Sequence, residues 1–310
     1  MKKNKIVVIA GPTGVGKTKL SVMLAKRMNT EIISADSMQI YKGMDIGTAK
    51  VNVDEMQGIK HHLLDIVEPN DDFDVVEYRN AAINIVNLMH NENKIPILVG
   101  GTGFYIQSVI RNVEFTEHKN DGYRDVLYNI SLTSKGKDIL YDMLCAIDSE
   151  SAKAIHKNNV KKVIRALEFF NENGYSIQNH NLEQREKPNR YDVFFYLLTD
   201  DRDKLYENIN LRVLDMFNNG LIEEVKKLIS NGIKSSTTAM QAIGYKEVIE
   251  YLDNKITLEE CIYKISLASR RYAKRQLTWF KREKCIEIIN KSNYNNFEEI
   301  VDKIYNDITK

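Results

Sequence analysis

No run in the 310-residue sequence is long and apolar enough to span a bilayer, and no signal-peptide core or cleavage site follows Met1-Lys2-Lys3. The expectation is a soluble, cytoplasmic protein without a membrane partner. Cysteine is scarce: Cys145, Cys261 and Cys285 are odd in number and far apart, which excludes a disulfide framework and a CxxC metal site. Net charge is only +1, so the whole-molecule field does not announce a nucleic-acid partner, and any such site must be a local cluster of Lys and Arg. Internal repeats and low-complexity tracts are absent as well. With 43% hydrophobic residues the chain has enough apolar material for one large or two ordinary domains.

What the chain does contain begins at Gly11-Pro12-Thr13-Gly14-Val15-Gly16-Lys17-Thr18, set between the apolar run Ile6 to Ala10 and the helix-prone run Lys19 to Met28. Strand, glycine loop and helix in this order form a phosphate cradle. The glycines let successive amides point inward, Lys17 adds a point charge, and the Thr18 hydroxyl can hold Mg²⁺ beside a diphosphate. The helix turns its positive end to the same anion. A second short strand, Glu31 to Ser37, ends in Asp36 and Ser37. A carboxylate at that strand end reads as a general base, a Mg²⁺ partner or a helix N-cap. Gln39 to Lys50, with two glycines and little apolar period, reads as an ordered loop over the site. His61 and His62 would point to opposite sides of an extended segment and cannot share one ion.

Phe73 to Asn91 has helical spacing, with Val76, Ala82, Ile83, Val86 and Met89 as its buried stripe. A third strand, Ile97 to Val99, runs into Gly100-Gly101-Thr102-Gly103, where glycines mean close approach to a ligand or tight packing. From Glu114 to Arg190 the sequence turns charged and helical in period, the profile of an inserted helical domain. Within it Lys161 and Arg165 share one helix face, either a phosphate contact or a solvated surface. Val193 to Leu198 returns to the sheet, and Lys204 to Phe217 is a helix carrying Arg212. Gln241 to Lys246 is a glycine-broken turn whose Tyr245 and Lys246 suit stacking on a base and touching a phosphate. The helix Leu258 to Lys284 carries Arg270, Arg271, Lys274, Arg275, Lys281 and Arg282 on one wide face, which favours a polyanion.

The expected fold is therefore α/β: a P-loop NTPase-like parallel sheet flanked by helices (1–115 and 191–310) with an inserted all-helical domain (116–190). Three functions compete: a nucleoside or small-molecule kinase, a nucleotide-hydrolysing switch, and a transferase that uses the loop for a diphosphate leaving group. A kinase lid would be rich in arginine, and no guanine-reading motif supports a switch. Only the transferase gives the basic surfaces a task.

These motifs resemble one family nearly end to end, the bacterial tRNA dimethylallyltransferases. The carriers are GPTGVGKT (11–18), ADSMQIYKGMDIGTAK (35–50), HHLLDIVEP (61–69), LVGGTGFY (98–105), RALE (165–168), QAIGYKE (241–247) and RQLTWF (275–280). The resemblance implies transfer of a dimethylallyl group from dimethylallyl diphosphate to the adenosine on the 3′ side of the tRNA anticodon, without ATP, by a monomer. It assigns the diphosphate to Gly11, Thr13, Gly14, Val15, Gly16, Lys17 and Thr18, with Arg212, and with Mg²⁺ on Thr18. Asp36 would take the proton from the adenine amine. The tRNA anticodon stem-loop would meet Asp36, Ser37, Met38, Gln39 and Thr102 around the base. Further contacts would come from Arg124 and the segment Lys161, Lys162, Val163, Ile164, Arg165, from Gln241, Ala242, Ile243, Gly244, Tyr245, Lys246, and from Arg275. Where the family commonly carries arginine, this chain has Lys162 and Asn208, so Arg212 stands alone at the diphosphate and Lys162 keeps charge without the guanidinium fork.

Overall fold

The computed structural model describes residues 3–113, 122–283 and 285–310. Residues 114–121, where the sequence places the start of the insertion, and Lys284, the expected end of the basic helix, lie outside them. The chain divides into two compact units, Met1–Ile110 with Asn189–Lys310, and Arg111–Pro188.

The first unit runs β1 (Lys5–Ala10), α1 (Lys17–Met28), β2 (Ile32–Ser34), α2 (Val53–Met56), β3 (His61–His62), α3 (Val75–Asn91), β4 (Ile97–Gly100) and α4 (Gly103–Ile110). The second unit supplies α5 (Tyr123–Ser131), α6 (Gly136–Ile147), α7 (Ser149–Ala154), α8 (Val160–Asn173) and α9 (Ile177–Glu186). The first then resumes with β5 (Asp192–Thr199), α10 (Arg202–Asn218), α11 (Leu221–Ser230), α12 (Tyr245–Leu252), α13 (Leu258–Phe280), β6 (Ile286–Asn290) and α14 (Phe297–Thr309).

Among the described residues the strands form one parallel sheet in the order β3-β2-β4-β1-β5-β6. β1 lies between β4 and β5 and is buried on both sides. Ile6, Val8 and Ala10 enter one apolar cluster with α3 and α4, while Val7 and Ile9 enter the other with α1 and α14. A strand covered on both faces reads as a continuous apolar run. Each of Ile6, Val7, Val8 and Ile9 is fully buried, worth about 1.5–3 kcal/mol relative to exposure. In α3 the largest fully buried side chain is Tyr78, whose hydroxyl donates to the Ser34 carbonyl at 2.9 Å and whose ring stacks on Tyr105.

Several boundaries differ from the sequence reading for local reasons. β2 stops at Ser34 because the Asp36 Oδ1 accepts the Met38 amide at 2.9 Å, a side-chain turn that pulls the chain off the sheet. α13 stops at Phe280, and Cys285 at φ 62° reverses the chain into β6. His62 Nε2 meets the Glu31 carboxylate at 2.6 Å, and His61 Nδ1 meets the Ile59 carbonyl.

The second unit has its own core, with Leu127, Leu140, Leu144, Val163 and Leu167 interlocking α5, α6 and α8. No helix of the described residues is long and apolar enough to cross a membrane.

Candidate active site

The loop after β1 turns on glycines that no other residue could replace without movement. Gly16 has φ +99°, and a Cβ there would stand 2.9 Å from the Phe297 ring of α14. Gly16 also precedes α1 with no side-chain cap, and no acidic residue occupies the first turn. The opening amides of α1 therefore keep their donors and the helix its positive end for an anion. Lys17 folds back over the loop, donating to the carbonyls of Gly11 (3.0 Å) and Pro12 (2.8 Å). The loop is tied down from behind by buried Gln276 of α13. Its Oε1 accepts the Thr13 amide at 3.1 Å, and its Nε2 donates to the Gly101 carbonyl at 3.0 Å. Gly101 has no room for a side chain because a Cβ would fall 2.1 Å from that Nε2.

Beyond the loop opens a cavity of about 410 Å³ whose wall includes Thr13, Lys17, Thr18, Asp36, Arg212 and Tyr272. Burial, reinforced by Arg212, pulls the Lys17 amine down to about 8 against the opposing pull of Asp36. Burial lowers Arg212 as well, with Asp36 and Glu55 opposing. The Arg212 Nη2 donates to the Thr48 carbonyl at 3.3 Å, and its Nε is buried without a protein partner. Two cations held short of counter-charge, beside open helix amides, make an anion site. Asp36 is the one carboxylate among the described lining residues. Burial first, then Asp36, pushes the Tyr272 phenol up to about 12, so it stays a donor at neutral pH.

Of the residues singled out from sequence, Ser37, Met38, Gln39, Gln241, Ala242, Ile243, Lys246 and Arg275 also line this cavity. Gly11, Gly14, Val15 and Gly16 shape the loop from outside it; Gly14 packs on Ile209 and Val15 is fully buried. Thr102 stands one step behind, its Oγ1 accepting the Ser37 amide at 3.1 Å. Two expectations are corrected within the turn at 241–246. Tyr245 cannot stack on a base, because its ring is fully buried and its hydroxyl donates to Glu224 Oε1 at 2.6 Å. Gly244, also buried, is absent from the lining and starts α12 with φ +101°.

In the helical unit Lys161 and Lys162 are exposed at the start of α8, whereas Val163 and Ile164 belong to that unit's core and offer no side chain to RNA. Arg165 and Arg124 both meet Glu168, at 3.2 and 3.6 Å, so their charge is partly spent inside the unit.

Sequence reasoning assigned Ile265 and Tyr272 only to the packed, apolar side of the basic helix and passed over Ser269 and Gln276; together these four form an inward stripe of α13 that lines the cavity at helical spacing. An i+3/i+4 count would have found it. It also passed over Met216, and Gly47, Thr48 and Ala49 as individual lining residues, though the loop itself was expected over the site.

Fold and cavity together define a P-loop-type α/β protein in which an anion cradle and a carboxylate share one pocket, suited to moving a group away from an anionic leaving group. Comparison with known proteins narrows this. The IPP transferase family model matches residues 39–283. A tRNA dimethylallyltransferase of Lachnoclostridium phytofermentans is 45% identical over 306 residues, 98% of this chain and 97% of that protein. The crystal structure of the full-length tRNA isopentenylpyrophosphate transferase of Bacillus halodurans superposes with a TM-score of 0.74 at 44% identity, covering 99% of this chain and 96% of that one. A eukaryotic dimethylallyltransferase caught acting on tRNA gives a TM-score of 0.82 at 30% identity, covering 99% of this chain and 79% of its own. The chain belongs to the IPP transferase family and is an enzyme of the transferase class. Nothing in these comparisons supports a kinase.

Proposed function

We propose that this chain transfers the dimethylallyl group of dimethylallyl diphosphate to the exocyclic amine of the tRNA adenosine on the 3′ side of the anticodon, releasing diphosphate. The observation that carries this is the one cavity in which Lys17, Arg212 and the open end of α1 face the same space as Asp36. An allylic carbon–oxygen bond breaks readily because the cation is delocalised, so the chief electrostatic task is to hold the departing diphosphate. Preformed cations and amides do this without reorganising. The adenine amine attacks the allylic carbon, and Asp36 takes the proton that the amine loses. To reach the cavity the base leaves the anticodon-loop stack, a cost of a few kcal/mol offset by the pocket that receives it.

Among the described residues no group of three His, Cys, Asp or Glu is placed to cage a metal. The donors present fit Mg²⁺ that arrives with the diphosphate, with Thr18 offering its hydroxyl and phosphate oxygens and water completing the shell. Bound there, Mg²⁺ would neutralise charge on the leaving group. A monomer acting in the cytoplasm suffices for this reading.

The test is incubation with Mg²⁺, unmodified tRNA reading codons that begin with U, and either dimethylallyl diphosphate or ATP, followed by nucleoside mass analysis. One isopentenyl unit gained on adenosine without ATP supports the reading. ATP turnover with no RNA modification returns the loop to a kinase.

A further inference from the structure

The loop 45–49 owes its shape to a residue far away in sequence. Glu224, delivered by the first turn of α11, receives three consecutive backbone amides. Its Oε2 accepts Asp45 N at 2.9 Å and Ile46 N at 2.8 Å, and its Oε1 accepts Gly47 N at 3.1 Å. The Tyr245 hydroxyl adds a fourth bond to Oε1 at 2.6 Å. All four donors are uncharged, and both oxygens of the carboxylate are engaged. The Tyr245 ring also lies against Gly47 so closely that a Cβ there would be 2.5 Å from Cε2. Glu224, Tyr245 and Gly47 therefore interlock as one unit, joining the DIGTAK and QAIGYKE segments.

From this unit the chain passes directly into the site. Gly47, Thr48 and Ala49 line the cavity, whereas Glu224 does not. The Thr48 carbonyl accepts both Arg212 Nη2 and Gln39 Nε2 at 3.3 Å, and the Ala49 carbonyl accepts Gln39 Nε2 at 3.2 Å. Ala49 sits at φ 44°, a conformation that a short non-glycine turn holds only when its ends are fixed. We propose that Glu224 is a positioning residue: by gathering the Asp45–Gly47 amides it fixes the Thr48 carbonyl, and through that carbonyl it aims the Arg212 guanidinium at the departing diphosphate. This rests on the diphosphate reading of the cavity given above.

The experiment measures inorganic pyrophosphate binding, with Mg²⁺, by calorimetry on the full chain. Glu224→Gln keeps one oxygen acceptor and loses the other, so affinity for pyrophosphate falls about tenfold while affinity for an anticodon stem-loop RNA is unchanged. In the Arg212→Ala background the same substitution has little further effect, because the two act in series. Tyr245→Phe removes only the buttress, lowers pyrophosphate affinity by about threefold, and carries the test should Glu224→Gln fail to fold. Unchanged pyrophosphate affinity in a folded variant overturns the proposal, as does a Glu224→Gln loss that multiplies fully with Arg212→Ala, the behaviour of general destabilisation. Wild-type protein that binds no pyrophosphate overturns the diphosphate reading itself, and this inference with it.

Discussion

Lys17 offers a direct test of how the site stores its binding capacity. In the unfolded chain its amine titrates at 10.5; in the folded protein burial, with Arg212 on the same side of the balance, brings it down to about 8. The folded pKa lies below the unfolded one. Between pH 8 and 10.5 the unfolded chain therefore holds more protons, and stability rises with pH through that window. Below pH 8 the full cost of keeping the ammonium is present. At about 1.4 kcal/mol per pH unit the fall from 10.5 to about 8 corresponds to about 3 kcal/mol, and Lys17 is buried enough for most of it to be expressed. Lys17→Met removes the titrating amine at similar length. Urea denaturation of both proteins at pH 7, 8, 9 and 10 isolates the contribution, since other titrating groups cancel in the difference. Wild type gains about 2–3 kcal/mol relative to Lys17→Met between pH 7 and 10. The same proton governs ligand binding: a bound dianion favours the ammonium, so pyrophosphate affinity declines by up to about tenfold per pH unit above pH 8 in wild type only. A stability difference that stays flat from pH 7 to 10 refutes the argument, because it means the amine is not held short of counter-charge.

Asp36→Asn lowers the transfer rate by about 10²- to 10⁴-fold with little change in tRNA affinity; loss of RNA binding instead removes Asp36 as the base. Replacing Lys161 and Lys162 together by alanine weakens tRNA binding and flattens its salt dependence by up to about two charges, read from the slope of log affinity against log salt. Gln276→Leu strands the Thr13 amide and the Gly101 carbonyl, costing about 2–4 kcal/mol in thermal or urea unfolding, and a cost under about 1 kcal/mol denies it the clamp. Glu31, drawn down to about 2 mainly by its hydrogen bond to Lys94 and then by His62, contributes stability above its unfolded value that is lost as pH falls from about 4.5 through 2. Glu31→Gln shows a shallower acid decline over that window.

The sheet and the phosphate loop were legible because their signals are local. A strand buried on both faces is an unbroken apolar run, and the cradle needs glycine, lysine and hydroxyl at fixed offsets. Asp36 was legible as a carboxylate at a strand end. The residues that sequence reading misplaced are those whose environment is made by distant partners. Tyr245 looks like a stacking aromatic until α11 brings Glu224 to its hydroxyl and Gly47 comes against its ring. Val163 and Ile164 sit beside two exposed lysines in sequence, yet the helix turns them into the core. α13 advertises Arg270, Arg271, Lys274 and Arg275, while the stripe Ile265, Ser269, Tyr272 and Gln276 that lines the cavity is uncharged and draws no attention in composition. Phe297, in a C-terminal helix that the sequence reading did not reach, backs Gly16 of the loop.

Charge also governs how the loops around the site are held. A conventional way to fix the turn at 45–49 would be an ion pair with Arg212 or Lys17, which would neutralise the cations that the leaving group needs. The chain instead fixes it with Glu224 on uncharged amides and a phenol and with an ion pair between Asp45 and Lys50, a cation outside the cavity lining, and fixes the phosphate loop with the neutral amide of Gln276. Lys17 and Arg212 are left with backbone carbonyls, contacts that orient a cation without cancelling its charge. The lowered Lys17 and Arg212 are the measurable cost of that choice, carried by the fold until an anion arrives. Stability and function therefore oppose each other at Lys17. A substitution that relieves the buried ammonium abolishes the extra stabilisation that pyrophosphate confers on wild type, whereas one at Glu31, at the end of β2 opposite to Asp36, leaves that increment intact.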